Sequence, residues 1–143
     1  MCGIAGILAL NASAARPSRE ALLRMAGALS HRGPEERGLY RDRRVGLAHA
    51  RLSIVDLQHG QQPLSDSDGL NWTVFNGEIF NYVELRDRLI ALGHRFRTHS
   101  DTEVFLRAWQ QWGTDAFEKM NGQWAAAIWD SVAGRLVLSR DRY

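Results

Sequence analysis

The sequence begins with MCGIAGILAL at residues 1–10, where small residues alternate with branched apolar ones. Such alternation is typical of a buried β-strand, and we predict one over about residues 3–10. Residues 12–14, Ala-Ser-Ala, have the small-x-small pattern of a signal-peptidase site. However, no Lys or Arg precedes the apolar stretch, which is also short for a secretory signal. The residues therefore favour a strand that carries Cys2 at its start.

Beyond this strand, the pattern predicts a mixture of helices and strands. The predicted elements are a helix after a Ser18 cap, an extended stretch over 45–55, a strand over 72–75 that runs into Asn76-Gly77, a helix after Asn81, a short strand over 95–98, a helix after Ser100, a short helix near 117–120, and a hairpin of 124–130 with 136–140 around Gly134. Strands towards both ends of the chain, with helices between them, favour an α+β fold.

Two of these segments have faces that can be predicted from the spacing of their residues. In the stretch 45–55, alternation places His49 and Arg51 on a polar face and the intervening residues on a core face. In the helix after Asn81, a stripe of leucines at 85, 89 and 92 is expected to face inward, with Glu84 three residues after the cap.

The composition is that of one globular domain with an ordinary core. The 143 residues are 45% hydrophobic and 24% charged, with a net charge of +2. The arginines are scattered and no apolar run approaches the roughly 20 residues of a membrane span, so we expect neither a nucleic-acid nor a membrane partner. One cysteine excludes an internal disulfide and favours a cytoplasmic chain with a reduced thiol. The histidines at 31, 49 and 99 lack metal-site spacing, so no metal is expected.

Cys2 is the most suggestive candidate for chemistry. If Met1 is removed, the thiol carries its own free α-amino group, so one residue supplies both a nucleophile and a neighbouring base. The alternative is a small buried hydrophobic residue in an apolar strand, which is the more usual role of such a cysteine.

Asn76-Gly77 is the second candidate. An Asn amide and a Gly backbone N–H are two adjacent donors that can stabilise an oxyanion, and Gly lets a ligand approach the main chain. The alternative is a type I′ hairpin turn, for which Asn-Gly is a strong signal.

Two charged residues complete the candidates. Arg51 lies in an otherwise apolar strand, where a guanidinium needs a carboxylate partner. That partner is either a substrate carboxylate or an internal acid such as Asp56. Asp101 can receive a substrate ammonium group, although Ser100-x-x-Glu103 is also a helix-capping box in which an acid is expected.

Five motifs in order extend this interpretation to nearly the whole chain. They are MCGIAG at 1–6, HRGP at 31–34, RLSIVD at 51–56, FNGEIFN at 75–81 and SDTE at 100–103. Together they resemble the glutaminase domain of glutamine-dependent asparagine synthetases, which are class II amidotransferases.

The resemblance implies an N-terminal-nucleophile αββα sandwich, in which two antiparallel sheets pack between helical layers. It implies that Cys2 attacks the side-chain amide of glutamine to form a thioester, with water then releasing glutamate. Asn76 and Gly77 would form the oxyanion hole, and Arg51 would bind the α-carboxylate of glutamine. Asp101 would hold its α-ammonium with Glu78, while main-chain groups of Leu52, Ile54 and Val55 line the pocket.

The same resemblance sets expectations about the rest of the protein. The family continues into an ATP-using synthetase domain, and residues 1–143 contain no pyrophosphate-binding loop of its kind. We therefore expect an incomplete glutaminase domain that needs no cofactor, with ATP and Mg belonging only to the absent synthetase domain. That domain is an expected partner, and the Trp and Leu surface it would cover makes a homo-oligomer an alternative. Two alternatives to the function are the glutaminase half of another class II amidotransferase and a catalytically silent binding or regulatory module.

Overall fold

Two antiparallel sheets and four helices form the chain in the computed structural model, which describes residues 2–52 and 60–142. The strands are β1 (Gly3–Leu8), β2 (Glu36–Arg41), β3 (Val45–Arg51), β4 (Leu64–Ser65), β5 (Asn71–Ile79), β6 (Gly122–Asp130) and β7 (Arg135–Arg140). The helices are α1 (Arg19–Ala28), α2 (Tyr82–Ala91), α3 (Asp101–Trp112) and α4 (Ala116–Lys119), with a 3-10 turn at Gly113–Asp115. No helix in these two ranges has the length and apolar character needed to cross a membrane.

The sheets have three and four strands. The first has the order β1-β3-β2 and the second β4-β5-β6-β7, and all neighbours are antiparallel. In the second sheet Asn76 lies opposite Ala125, in the middle of the nine-residue pairing of β5 with β6. The Asn-Gly pair is therefore part of a strand, which excludes the hairpin-turn interpretation.

The sheets are stacked between helices. Their facing surfaces meet through Leu47 of β3, Val74 of β5 and Trp129 of β6. α1 covers the outer face of the first sheet, where Leu22 packs with Ala48. α2 and α3 cover the outer face of the second sheet in a larger core that also includes residues of β5 and β6. The layering confirms the predicted αββα sandwich.

The predicted helix signals are mostly confirmed. Ser18 and Ser100 cap α1 and α3 through their hydroxyl oxygens, which accept hydrogen bonds from Ala21 N–H and Glu103 N–H. Gly113, the C-cap that follows the last residue of α3, has a φ of +57°, and Gly134 in the predicted hairpin has a φ of +60°.

Three local predictions are wrong. Residues 95–98 form no strand, because the backbone N–H groups of Arg97 and Thr98 bind the carboxylate of Glu103 instead of a neighbouring strand. Asn81 does not cap α2 with its side chain, which bridges Lys119 O and Asn121 N–H across the turn before β6. Leu92 is 51% exposed, since it follows the last residue of α2.

The ends and faces of two strands also differ from the prediction. β1 ends at Leu8, and β3 ends at Arg51, with residues 53–55 of the predicted stretch lying outside the described residues. Both faces of β3 are buried: its predicted polar face packs between the sheets, so that His49 is 1% exposed and Arg51 is 5% exposed. The reason is the second sheet, which covers this face.

Candidate active site

A cavity of about 190 Å³ lies where β3 and β5 meet the start of α3. Its lining includes most of the predicted site residues: Cys2, Arg51, Leu52, Asn76, Gly77, Glu78 and Asp101. Ile54 and Val55, the two other residues expected at the pocket, lie outside the described residues. In residues 2–52 and 60–142, no cluster of three or more His, Cys, Asp or Glu side chains is arranged to hold a metal ion.

Cys2 lies just before β1, and its thiol is held against the end of β3. Its Sγ is 3.3 Å from the backbone nitrogen of Leu52, whose N–H donates to it, and 3.5 Å from the carbonyl oxygen of Leu52. Arg32 Nε donates to the Cys2 carbonyl oxygen at 3.0 Å. The contacts with Leu52 fix the thiol in place. Because Cys2 is only partly buried and lines the cavity, the thiol is also accessible from the cavity.

Arg32 belongs to a turn that glycine allows to lie close to β3. A Cβ on Gly33 would be 2.2 Å from the carbonyl oxygen of Ala50, well inside the 3.0 Å below which real Cβ atoms essentially never approach another heavy atom. The absence of a side chain at Gly33 thus lets the turn reach the backbone of β3 and brings Arg32 to the carbonyl of Cys2.

β5 turns a row of backbone N–H groups towards the cavity side of the sheet. Phe75 N–H donates to Gln62 Oε1 at 2.6 Å, and Ile79 N–H donates to Asp101 Oδ2 at 3.1 Å. Successive N–H groups of a strand in an antiparallel sheet point to opposite sides. Gly77 is two residues from Phe75 and two from Ile79, so its N–H points to the same edge of β5 as theirs. Gly77 also lines the cavity.

β5 and β6 lie close together at Gly77. A Cβ at this position would lie 2.1 Å from the carbonyl oxygen of Gln123 in β6. Glycine in a strand is expected at such close backbone approaches. The neighbouring Asn76 has a buried Oδ1 with no hydrogen-bond partner among the described residues. Asn76 lines the same cavity as Gly77.

Arg51 has an internal partner. Its Nη1 is 3.2 Å from Oε2 of Glu36, directly across the strand pair of β2 and β3. Of the two possible kinds of partner, an internal acid is thus present, and it is Glu36; Asp56 lies outside the described residues. The Glu36 side chain is 42% exposed while that of Arg51 is 6% exposed, so the ion pair lies at the edge of the buried region.

Two acidic residues lie at the other side of the cavity. Asp101 is the first residue of α3 and is 6% exposed. Burial raises the pKa of its carboxyl, and the nearby Glu78 raises it further, while hydrogen bonds from Ile79 N–H and Thr102 N–H lower it. Glu78 is exposed in β5 and lines the same cavity. The site therefore has a cationic side at Arg51 and an acidic side at Asp101 and Glu78.

Sequence reasoning missed three polar residues at this site. Arg32 belongs to the HRGP motif at 31–34, for which the sequence predicts no role, and neither Gln62 nor Thr102 is a predicted site residue. Gln62 donates to Thr102 Oγ1 at 3.3 Å, and both residues line the cavity. No spacing in the sequence indicates their proximity, because Gln62 lies in a loop whose position depends on the pairing of β4 with β5.

Comparison with curated proteins identifies relatives along the whole chain. A glutamine-hydrolysing asparagine synthetase of Bacillus subtilis (strain 168) is 40% identical over 144 residues, covering 100% of this chain and 23% of that protein. A probable asparagine synthetase of Dictyostelium discoideum is 37% identical over 142 residues, which make up 99% of this chain and 25% of that protein. The chain thus spans about a quarter of the length of these relatives.

The fold is also found in a solved structure. Glutamine phosphoribosylpyrophosphate amidotransferase from B. subtilis, in complex with ADP and GMP, superposes with a TM-score of 0.55 at 21% identity, covering 71% of this chain and 24% of that one. The family model of the glutamine amidotransferase domain matches residues 1–143. These findings confirm the resemblance drawn from the five motifs, and the chain belongs to the glutamine amidotransferase domain family.

Proposed function

We propose that this chain hydrolyses the side-chain amide of glutamine through Cys2. The thiol gives its proton to the α-amino group of Cys2, exposed by removal of Met1, and Sγ attacks the amide carbon. The C–N bond then breaks and ammonia leaves with that proton. Water attacks the resulting thioester, releases glutamate and restores the thiol. Asn76 and Gly77 N–H stabilise the oxyanion that forms at each attack.

The charged ends of the substrate account for the polarity of the cavity. Glutamine is a zwitterion, and we assign its α-carboxylate to Arg51 and its α-ammonium to Asp101 and Glu78. Backbone groups of Leu52, Ile54 and Val55 complete the binding site in this proposal. Holding both charged ends fixes the distance to the thiol, so asparagine, with its shorter side chain, would not reach Sγ.

One observation supports this proposal above the others. The thiol of Cys2, the cavity-facing edge of β5 and two sides of opposite charge all line the same cavity, although they come from four separate parts of the sequence. A buried structural cysteine would need none of these neighbours. A catalytic thiol needs all of them.

For the whole protein, we propose that the ammonia is used to make asparagine from aspartate. The relatives named above are asparagine synthetases, and this chain corresponds to about a quarter of their length. ATP and Mg would be bound by a synthetase domain, and the glutaminase chemistry of residues 1–143 uses no cofactor. Because the mechanism needs a reduced thiol, the cytoplasm is the expected location. Another class II amidotransferase would use the same glutaminase step with a different ammonia acceptor.

The experiment combines intact mass with glutamate release. Met1 should be absent from the purified chain, and Cys2→Ala should abolish hydrolysis of glutamine. Since Cys2 is the only cysteine of the sequence, one equivalent of iodoacetamide should also inactivate the wild-type chain completely. Ser13→Ala, in the exposed segment after β1, serves as a control and should leave turnover unchanged.

Two results would contradict the proposal. Glutamine hydrolysis that persists in Cys2→Ala would exclude Cys2 as the nucleophile. A mass that includes Met1, together with no turnover, would favour a silent binding module, since the thiol would then lack its neighbouring amine.

A further inference from the structure

Gln62 makes three hydrogen bonds with a side chain that the catalytic proposal does not use. Its Oε1 accepts from Phe75 N–H at 2.6 Å, and its Nε2 donates to the Phe75 carbonyl oxygen at 3.0 Å and to Thr102 Oγ1 at 3.3 Å. Both amide hydrogens and the amide oxygen are thus engaged within the protein. A side chain used in this way is not left to bind a substrate.

The pairing of β4 with β5 explains why this residue is positioned there. Leu64 lies opposite Thr73 and Ser65 opposite Trp72, so continuing the same antiparallel register places Gln62 opposite Phe75. Yet β4 contains only Leu64–Ser65. At the next bonding position, the side-chain amide of Gln62 supplies the donor and acceptor that a strand backbone would have supplied.

This replacement leaves the next bonding position of β5 open to the cavity. The register would place residue 60 opposite Gly77, but β4 does not extend that far, and Gly60 and Gly77 both line the cavity. A continued β4 backbone would take the N–H of Gly77 into the sheet. Gln62 therefore satisfies the backbone groups of β5 at Phe75. The N–H of Gly77, two residues further along the same edge, remains directed at the cavity.

We infer that Gln62 is a positioning residue for glutamine hydrolysis, which holds the Phe75 peptide so that Asn76 and Gly77 present their donors to the oxyanion. The inference rests on the proposed function. It adds a residue outside the strand that carries the oxyanion donors and outside the groups that hold the charged ends of glutamine.

One further contact holds the Phe75 carbonyl oxygen that Gln62 binds. The buried His49 of β3 places its Nε2 3.3 Å from this oxygen, while Thr102, the partner of Gln62 in the first turn of α3, is 4% exposed. Gln62 thus links β5 to α3, while His49 links β5 to the first sheet. Loss of Gln62 alone should leave the other links in place and shift the peptide locally.

The test compares Gln62→Leu and Gln62→Glu with the wild-type full chain. Leucine removes all three hydrogen bonds, whereas glutamate keeps the acceptor for Phe75 N–H but places an oxygen against the Phe75 carbonyl. Gln111→Glu makes the same chemical change on the exposed side of α3, where Gln111 contacts His94, and is the matched control. For each chain we would measure kcat and KM for glutamine, the rate of Cys2 alkylation by iodoacetamide, and the unfolding midpoint.

We expect kcat to fall roughly tenfold to a hundredfold in both Gln62 variants, since oxyanion donors act mainly in the transition state. KM and the alkylation rate should stay within about twofold of wild type, because neither the charged ends of glutamine nor the thiol is affected. Gln111→Glu should match wild type in all four measurements.

Two outcomes would overturn the inference. A kcat within about twofold of wild type in both Gln62 variants would show that the oxyanion donors do not depend on the hydrogen bonds of Gln62. An equal loss of kcat and of Cys2 alkylation would show a general structural role instead. Failure of the proposed function is separate, since wild-type hydrolysis that does not depend on Cys2 would reveal it without any Gln62 variant.

Discussion

Asp101 is buried, yet the role we propose for its carboxylate requires a negative charge. Transfer of a carboxylate out of water favours its neutral form, and Glu78 adds repulsion. The N-terminus of α3 and the N–H of Ile79 oppose both effects. The balance raises the pKa of Asp101, so its charge is lost at a higher pH than that of an exposed aspartate.

This shift predicts that glutamine binding weakens as the pH is lowered, and that it does so at a higher pH than titration of an exposed aspartate would cause. As pH falls, Asp101 takes up a proton before an ordinary aspartate does, and the neutral carboxyl no longer attracts the α-ammonium group. KM for glutamine should therefore rise in acid, with an onset at a higher pH than the ordinary pKa of an aspartate would give. Asp101→Asn should raise KM at neutral pH roughly tenfold to a hundredfold, as expected for a lost charge-assisted hydrogen bond, and should flatten the acidic part of the KM profile.

Steady-state kinetics from about pH 5 to pH 8 would check this prediction. Asp87→Asn, on the exposed face of α2, removes the same charge away from the cavity and should keep the wild-type profile. An Asp101→Asn chain whose KM still rises in acid as steeply as wild type would assign the titration to another group.

Residue type and motif predict which side chains line the candidate site better than they predict the internal partners of those side chains. Cys2, Arg51 and Asp101 were identified from residue type and motif, and all three line one cavity. The ion pair of Arg51 with Glu36 was not foreseen, because it depends on the register that places these residues opposite each other in β2 and β3. Register is a long-range property, and a one-residue change would reverse the face of each side chain.

At the level of elements, local signals succeeded where the stabilising contacts are local. The Ser100 cap and the terminal Gly113 of α3 were both readable within a few residues of sequence. The predicted strand at 95–98 is wrong because the carboxylate of Glu103, five to six residues further along the chain, binds the backbone N–H groups of Arg97 and Thr98. The turn interpretation of Asn76-Gly77 is wrong because of a long-range contact, since β6 pairs with these residues and keeps them in a strand.

The turn between α1 and β2 provides a prediction at this scale. Gly33→Ala should destabilise the fold by about 1–3 kcal/mol, because its Cβ would be 2.2 Å from Ala50 O and backbone atoms would have to move. Gly27→Ala is the matched control: the nearest atom to a Cβ in the last turn of α1 is Arg37 Nη1 at 3.9 Å. This control should be neutral or stabilising by up to about 1 kcal/mol.

Urea unfolding of the two variants would measure this difference, and alkylation of Cys2 would report on the site. Displacement of the turn should loosen the contact from Arg32 to the Cys2 carbonyl, so the alkylation rate should change in Gly33→Ala alone. Equal unfolding midpoints for the two variants would mean that the turn adjusts without cost.

Across the whole molecule, the site depends on how the two sheets are held face to face. The interface is mainly apolar, but a few polar side chains cross it: Trp129 Nε1 donates to Asp42 Oδ2 at 2.6 Å, and His49 Nε2 contacts Phe75 O. His49 crosses from β3 to the residue just before Asn76. Its ionisation state therefore affects the contact between the sheets close to the site.

His49 predicts a loss of stability in acid. Burial, with a smaller effect from Arg51, lowers the pKa of His49 to about 4, whereas an unfolded histidine titrates near 6.5. Between these values the unfolded chain binds a proton that the folded chain does not, so stability is lost as pH falls from about 6.5 to about 4. Over this range His49 accounts for a loss of about 3 kcal/mol in the free energy of unfolding.

His49→Gln keeps a donor for Phe75 O but cannot ionise. Its free energy of unfolding, measured by urea titration at several pH values, should therefore fall less steeply over this range than that of wild type. Parallel curves for the two chains would show that His49 is protonated equally in both states.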